Sequence, residues 1–106
     1  MTIYHFVAAS EQFLIVDEPL EEVLRERQRN YVETNKEIDF WLIRRPAFLQ
    51  APGLSSLASQ VPQPAAAIIS TDKTFITFLK LRLEYVVVGR FEAPTSIIPD
   101  ATSSNV

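Results

Sequence analysis

Short apolar runs with alternating or β-branched side chains predict three strands, and a further apolar run over residues 13–16 is either another short strand or an extended packing segment. Residues 2–9 alternate loosely between larger apolar and other side chains, and residues 65–70 form a short run of small and β-branched residues. Residues 84–91 include three consecutive valines, a composition typical of strands. Gly89 interrupts this last run and predicts a β-bulge there.

A fourth strand is predicted over residues 38–43, where nearly every position is apolar. Alternate side chains of a strand point to opposite faces, so Ile38, Phe40 and Leu42 would lie on one face, and Trp41 and Ile43 on the other. Because both faces would need to be covered, we expect a central strand with helices on each side of the sheet. Asp39 is the polar exception near the start of this strand.

Helical periodicity predicts a first long helix over residues 19–33. Pro19 suits the first helical position, since its missing N–H costs nothing there, and the two preceding acids favour the positive helix end. Asn35 can end the helix in the left-handed conformation. One stripe contains Leu20, Val23, Leu24, Arg27 and Tyr31. The arginine breaks this stripe, but its stem can cover apolar surface.

A second helix is predicted over residues 74–83, preceded by the capping residues Ser70, Thr71 and Asp72. Its apolar stripe consists of Phe75, Ile76, Leu79 and Leu83. From residue 78 to residue 84, Phe78, Lys80, Arg82 and Glu84 alternate with three leucines, which favours a strand. The preceding capping residues favour the helix, and we therefore predict a helix. A short helix is also predicted within the irregular region 54–61.

Composition excludes several classes of chemistry. The chain has 106 residues, a net charge of −3, no cysteine, two glycines and one histidine. Disulfides, thiolate chemistry, histidine-rich metal sites and glycine-rich phosphate loops are therefore excluded, and an acidic chain argues against nucleic acid as main partner. Neither a paired Glu-x-x-His motif nor a Gly-x-Ser-x-Gly elbow is present. We expect no catalytic, metal-binding or cofactor-binding residues and no enzyme activity.

Asp39, Phe40 and Arg82 have side chains of the types that binding surfaces use. Asp39 lies beside the aromatic Phe40 and Trp41, and residue types alone favour a core with a solvated edge over an interface. Arg82, between two leucines, is equally compatible with a cation at a helix end and with an exposed partner contact.

Several blocks of sequence, in order, resemble a small protein family of oxygenic phototrophs. This family is the accessory subunit of the aerobic magnesium-protoporphyrin IX monomethyl ester cyclase. The resemblance covers about residues 2–93. The blocks are Pro-Leu-Glu-Glu-Val-Leu-Arg-Glu-Arg (19–27), Lys-Glu-Ile-Asp-Phe-Trp-Leu (36–42), Pro-Ala-Phe-Leu (46–49), Pro-Gln-Pro-Ala-Ala-Ala-Ile (62–68) and Leu-Lys-Leu-Arg-Leu-Glu-Tyr-Val (79–86).

The resemblance implies an α+β fold, a single small domain with an antiparallel sheet of about four strands and helices packed on both faces. Residues 1–93 would form the globular domain and residues 94–106 a flexible tail rich in proline and serine.

The resemblance also implies a non-catalytic role in chlorophyll biosynthesis. The protein would bind the diiron catalytic subunit of the cyclase and support formation of the isocyclic ring, which gives protochlorophyllide. Asp39, Phe40 and Arg82 lie in matching blocks and become the expected partner-binding residues. An alternative is a carrier that binds the magnesium porphyrin intermediate itself, through aromatic stacking and arginine–propionate pairs.

The expected location is the cyanobacterial cytoplasm or the plastid stroma. No apolar run approaches the roughly 18 residues that span a bilayer, and the N-terminus lacks the pattern of a signal or transit peptide. Association with the thylakoid would then be peripheral and come through the cyclase. We expect neither a nucleic-acid partner nor direct membrane insertion.

Overall fold

A four-stranded antiparallel sheet forms the centre of the computed structural model, which describes residues 1–18 and 20–105. The strands lie in the order β2-β3-β1-β4. The α+β class and the antiparallel sheet are thereby confirmed. The strands are β1 (Thr2–Ser10), β2 (Phe40–Arg44), β3 (Ala65–Ser70) and β4 (Val87–Ala93), and the α-helices are α1 (Leu20–Glu33), α2 (Ser55–Ala58) and α3 (Lys73–Leu83). A π-helical segment covers Gln12–Asp17, so the strand or extended segment predicted for residues 13–16 is wrong.

Each face of the sheet buries its own apolar core. One face is covered by α1 and α3, and its core includes Leu24, Ile68 and Leu79. The other face is covered by α2, by 3₁₀ turns at Ala47–Gln50 and Pro52–Leu54, and by the C-terminal segment. Helical structure on both faces is therefore confirmed. All six residues of β3 are buried, as expected for an inner strand covered on both sides.

Helix α1 buries Leu20, Leu24 and Tyr31 of the predicted stripe. Asn35 ends it with φ 59°, and the amide of Lys36 donates to the carbonyl of Tyr31 at 2.8 Å, so the predicted left-handed C-terminus is confirmed. Pro19, the predicted first helical position, lies outside the described residues.

Helix α3 confirms the helical interpretation of its sequence. The Asp72 carboxylate accepts hydrogen bonds from the amides of Thr74 and Phe75, at 3.0 and 3.3 Å, and so caps the helix. The four predicted stripe residues are the buried ones, Phe75, Ile76, Leu79 and Leu83. The predicted short helix within 54–61 corresponds to α2, which spans four residues.

The predicted central position of the strand over 38–43 is wrong. β2 pairs only with β3 in the described sheet and lies at its edge. The faces were predicted correctly, because Phe40 and Leu42 pack into the core under α1, and Trp41 and Ile43 pack into the opposite core. Periodicity reports which faces are covered, and it carries no information about lateral neighbours.

The predicted bulge at Gly89 is also wrong. Pairing of β4 with β1 continues without interruption from Thr2 opposite Ala93 to Ala8 opposite Val87, with Phe6 opposite Gly89. A Cβ on this glycine would lie 2.7 Å from the Phe6 ring and 2.7 Å from a methyl of Leu57. The glycine is therefore required by close packing.

The segment after residue 93 packs back onto the sheet. Ile98 and Ala101 are buried in the core that contains α2. The Ala47 amide donates to the Ser103 carbonyl at 2.9 Å, and the Asn105 amide donates to the Arg45 carbonyl at 2.8 Å. The packed unit thus continues beyond the predicted boundary at residue 93, while mobility of this segment in solution stays a prediction.

Candidate docking surface

Two neighbouring regions contain the three predicted site residues. Asp39 and Phe40 belong to an enclosed group between α1, β2 and the start of α3, which we call the arginine node (Arg27, Tyr31, Asp39, Phe40, Asp72 and Phe75). Arg82 belongs to an exposed surface formed by the solvent side of α3 and by Tyr85, two residues after the helix ends, which we call the α3 face (Phe78, Leu81, Arg82 and Tyr85).

Arg27 is the centre of the arginine node. Its guanidinium donates to the Tyr31 hydroxyl at 2.8 Å and to the Asp72 carboxylate at 3.3 Å. Its Cζ lies 3.8 Å from the centre of the Phe75 ring and 5.5 Å from that of Phe40, within cation–π range of both. The node therefore joins α1 to β2 and to the cap of α3.

Asp39 is bound to this node through both its side chain and its backbone. Its carboxylate accepts a hydrogen bond from the Tyr31 hydroxyl at 2.9 Å. Its carbonyl accepts from the Ser70 hydroxyl at 2.7 Å and from the Thr71 amide at 3.1 Å. Since Ser70 also accepts from the amide of Asp72 at 2.9 Å, the start of β2 is tied to the residue that caps α3.

Phe40 is a core residue. Only 5% of its surface is exposed, and its ring meets Tyr31 and Phe75 edge to face at centroid distances of 5.3 and 5.7 Å. A side chain so enclosed has almost no surface for a partner, so any contribution of Phe40 to docking is indirect.

The α3 face has the opposite character. Phe78, Leu81 and Tyr85 are 51%, 76% and 81% exposed, and Arg82 is exposed beside them. Phe78, Leu81 and Arg82 lie off the buried stripe of α3, whose inner positions are occupied by the four core residues, and Tyr85 follows the end of the helix. The structure thus favours the exposed alternative for Arg82.

Sequence reasoning missed two features of these regions. It treated Arg27 only as a break in an apolar stripe, although a guanidinium at a core-facing position is itself a sign of a polar group that needs partners. It also did not single out Phe78, Leu81 and Tyr85. Their signal was available, because large apolar side chains outside a complete helical stripe must be exposed unless another element covers them.

Within residues 1–18 and 20–105, no group of three or more metal-ligating side chains is positioned to hold an ion. In the same part of the chain, no helix has the length and apolar character needed to cross a membrane. A groove with a volume of about 460 Å³ runs between α1 and β2, with Arg25, Phe40 and Trp41 among its lining residues.

These features define a small single-domain α+β protein with one exposed aromatic and basic helix face. The model of the family described as Ycf54 protein matches residues 2–93. The chain belongs to this family, so the family membership that the resemblance predicted is confirmed. Its relatives come from cyanobacteria and plastids, as expected.

The relatives cover nearly all of the chain. A Ycf54-like protein from Synechocystis sp. is 53% identical over 98% of this chain and 78% of its own length. The chloroplastic protein YCF54 from Arabidopsis thaliana is 38% identical over 98% of this chain and 48% of its own length. The solved Ycf54 structure from Synechocystis superimposes with a TM-score of 0.97, at 51% identity, and covers 100% of this chain and 99% of that one.

A second solved structure gives the same result. The All0216 protein from Nostoc sp. superimposes with a TM-score of 0.96 at 56% identity, covering 99% of this chain and 97% of that one. At these identities the shared fold extends over the arginine node and the α3 face of this chain.

Proposed function

We propose that this protein is a non-catalytic accessory factor of the aerobic magnesium-protoporphyrin IX monomethyl ester oxidative cyclase. It binds the diiron catalytic subunit and supports isocyclic ring formation, and so protochlorophyllide synthesis. Membership in a family found in cyanobacteria and a plant chloroplast supports this proposal, together with the multi-block resemblance described above.

The observation that carries the proposal is the exposure of the α3 face. Phe78 and Leu81 of α3, and Tyr85 two residues after its end, expose large apolar side chains to solvent, whereas α1 (Leu20–Glu33) exposes one, Val32. Aromatic residues and arginine are the types that dominate binding energy at protein interfaces. An exposed apolar group of this kind on a small protein is typical of a docking surface.

The three expected contact residues have different roles in this proposal. Arg82 contacts the partner directly, because its side chain is exposed beside Leu81. Phe40 and Asp39 act through the arginine node, which holds the cap of α3 against α1 and β2. Loss of either residue would displace α3 and so distort the surface that the partner meets.

The protein acts in the cytoplasm of a cyanobacterium or in the plastid stroma. Part of it is at the thylakoid through the cyclase. The cyanobacterial and chloroplast relatives support this location.

Binding of the purified diiron subunit to tagged protein tests the proposal. The double variant Phe78→Ala/Arg82→Ala is expected to keep its fold and lose most of the captured subunit. A matched control is Arg25→Ala/Val32→Ala, which removes an exposed arginine and an exposed apolar residue from α1 and should bind normally. Failure of the unaltered protein to capture the subunit would overturn the proposal, and equal binding by both variants would reject the α3 face as the site.

The alternative function is a carrier for the magnesium porphyrin intermediate. The groove between α1 and β2 favours it, since Trp41 could stack on a ring and Arg25 could pair with a propionate. Absorbance titration with the magnesium porphyrin ester separates the two. Saturable binding that Trp41→Ala removes would support the carrier, whereas a flat titration beside normal capture of the subunit would exclude it.

A further inference from the structure

The cations of this protein divide into paired and free groups. Arg27, Arg29, Arg44 and Arg45 each form an ion pair with a carboxylate. Six other cations have no such pair within the described residues. Two of them, Arg25 and Lys36, lie on α1 or just after it, and the other four, Lys73, Lys80, Arg82 and Arg90, are exposed on α3 or on β4. The chain as a whole is acidic, with net charge −3, so this concentration of free positive charge is local.

Three of these free cations, two on α3 and one on β4, are grouped here as the basic strip (Lys73, Lys80 and Arg90). Lys73 and Lys80 are seven residues apart, which places them on the same side of the helix. His5 in β1 pairs across the sheet with Arg90. Val7 lies on the same face of β1 as His5 and packs in the core under α3, so His5 and Arg90 lie on the α3 side of the sheet. Burial lowers the pKa of His5, and the positive charges of Lys73 and Arg90 lower it further.

Arg82 lies on the opposite side of α3. It follows Phe75 by seven residues, and the Phe75 ring packs against Arg27 of α1. The exposed Leu81 therefore lies between Arg82 and the basic strip. Exposed apolar surface continues past the strip at Val88 and Ile3, on the sheet face that α3 leaves uncovered. The nearest acid along β4 is Glu92, two residues beyond Arg90.

An apolar ridge with cations on both sides fits a partner segment with the inverse pattern. Apolar side chains of such a segment would bury against Leu81 and Phe78, and carboxylates at its edges would pair with the cations. Free cations need no intramolecular pair to be broken before they bind, so the electrostatic attraction is available to the partner.

We propose that the α3 face and the basic strip together bind an acidic segment of a protein partner that carries an apolar stripe. The inference rests on the proposed function, under which this segment belongs to the diiron catalytic subunit. It adds the chemistry of the partner surface and assigns Lys73, Lys80 and Arg90 to the interface.

Affinity measurements with the purified diiron subunit test the inference. Lys80→Glu/Arg90→Glu should weaken the Kd by about tenfold or more, as expected when attraction between close charges becomes repulsion. The matched control Arg25→Glu/Arg29→Glu makes the same change in net charge on α1, and its Kd should stay within about twofold. Raising the salt concentration should weaken binding of the unaltered protein, and much less that of the reversed variant.

Each other outcome counts against the inference in a distinct way. Unchanged affinity of the reversed variant would remove the basic strip from the interface and leave the proposed function standing. Equal weakening of both variants would assign the effect to net charge. Absence of binding by the unaltered protein would overturn the proposed function, and this inference with it. Circular dichroism and thermal unfolding of each variant check that the fold is retained.

A membrane surface is the competing occupant, and vesicle flotation distinguishes it. Vesicles of phosphatidylglycerol and phosphatidylcholine serve as the probe. The inference expects little flotation of the protein. The inference is overturned by one combination of results. The unaltered protein floats, the variant Lys80→Glu/Arg90→Glu does not float, and this variant still binds the diiron subunit normally. The surface would then contact lipid.

Discussion

The arginine node and the α3 face use the same residue types for opposite purposes. Arg27 is 26% exposed in its side chain, pairs with Asp72 and packs against three aromatic rings. Arg82 is exposed, has no ion pair among the described residues, and lies beside apolar side chains that face solvent. In the node, the Arg27 guanidinium has hydrogen-bond, ion-pair and ring partners within the chain, and only its Nε lacks a hydrogen-bond partner among the described residues. On the α3 face the corresponding partners must come from elsewhere.

This difference predicts that the arginine node determines the stability of the fold and that the α3 face determines the affinity for the partner. Substitutions in the node should lower the free energy of unfolding, because they remove buried contacts. Substitutions on the α3 face should leave the free energy of unfolding nearly unchanged and lower affinity for the partner. The following experiments run from the largest expected change in stability to the smallest.

Phe40→Ala should lower the free energy of unfolding by about 3–5 kcal/mol, the usual cost of removing a buried phenylalanine ring. Urea unfolding followed by circular dichroism measures it. Phe78→Ala is the matched control, since the same atoms are removed from a half-exposed site. Equal losses of unfolding free energy in the two variants would contradict the difference between the arginine node and the α3 face.

Arg27→Met should lower the free energy of unfolding by about 1–2 kcal/mol, since it removes two hydrogen bonds and the cation–π contacts while keeping an apolar stem. The comparison variant is Arg25→Met, an exposed position on the same helix, where a change within about 0.5 kcal/mol is expected. A stability gain in Arg27→Met would mean that burial of the guanidinium outweighs its interactions.

A double-mutant cycle on Tyr31→Phe and Asp39→Ala should give a coupling energy of about 0.5–1.5 kcal/mol, because the two side chains share one hydrogen bond of 2.9 Å. Chemical unfolding of the two single variants and the double variant measures it. Additive effects would show that the hydrogen bond between these two side chains makes no measurable contribution to stability. Binding by Asp39→Ala, measured in parallel, should fall by less than that of Arg82→Ala.

Arg82→Ala should change the free energy of unfolding by no more than about 0.5 kcal/mol. Its affinity for the diiron subunit should nevertheless fall about tenfold or more, as at an interface hot spot. Calorimetric titration and thermal unfolding on the same samples measure the two quantities. Arg82→Lys keeps the charge and should recover part of the affinity. A loss of stability as large as that of Arg27→Met would place Arg82 among the structural residues.

The smallest change in stability is expected for substitution of His5. Burial, with Lys73 and Arg90 nearby, lowers its native pKa below 6.5, so the unfolded chain takes up the proton first. This contribution to stability is present above pH 6.5 and is lost as the pH falls towards the lowered native pKa. The melting temperature of the wild type should therefore drop more steeply than that of His5→Gln between neutral pH and about pH 5. If the melting temperatures of the two proteins fall in parallel with pH, this prediction is wrong.

Several local features followed from neighbouring residues. The buried stripe of α3, its cap at Asp72 and the left-handed end of α1 at Asn35 all depend on spacing within about one helical turn, and all are confirmed. Such features can be predicted because the interacting groups are close in sequence. Three residues of the candidate site, Asp39, Phe40 and Arg82, were also named in advance. Their division between a buried node and an exposed face was not.

That division depends on contacts between distant segments. The Arg27 guanidinium meets Asp72 across 45 positions in the sequence, and the Asp39 carbonyl meets Ser70 across 31. Neither contact has a periodic signature along the chain. Periodicity likewise identified two covered faces for β2, and only pairing in the sheet placed this strand at an edge.

By itself, the sequence determined the strands, the two long helices, the absence of cysteine chemistry and the resemblance to a family. The tertiary structure alone decided that Phe40 is enclosed, that Gly89 is required by the Phe6 ring, and that Ile98 returns to the core. The physical reason is the range of the interactions. Hydrogen bonds within a helix and alternation within a strand act over a few residues, whereas burial depends on which distant segments share a face.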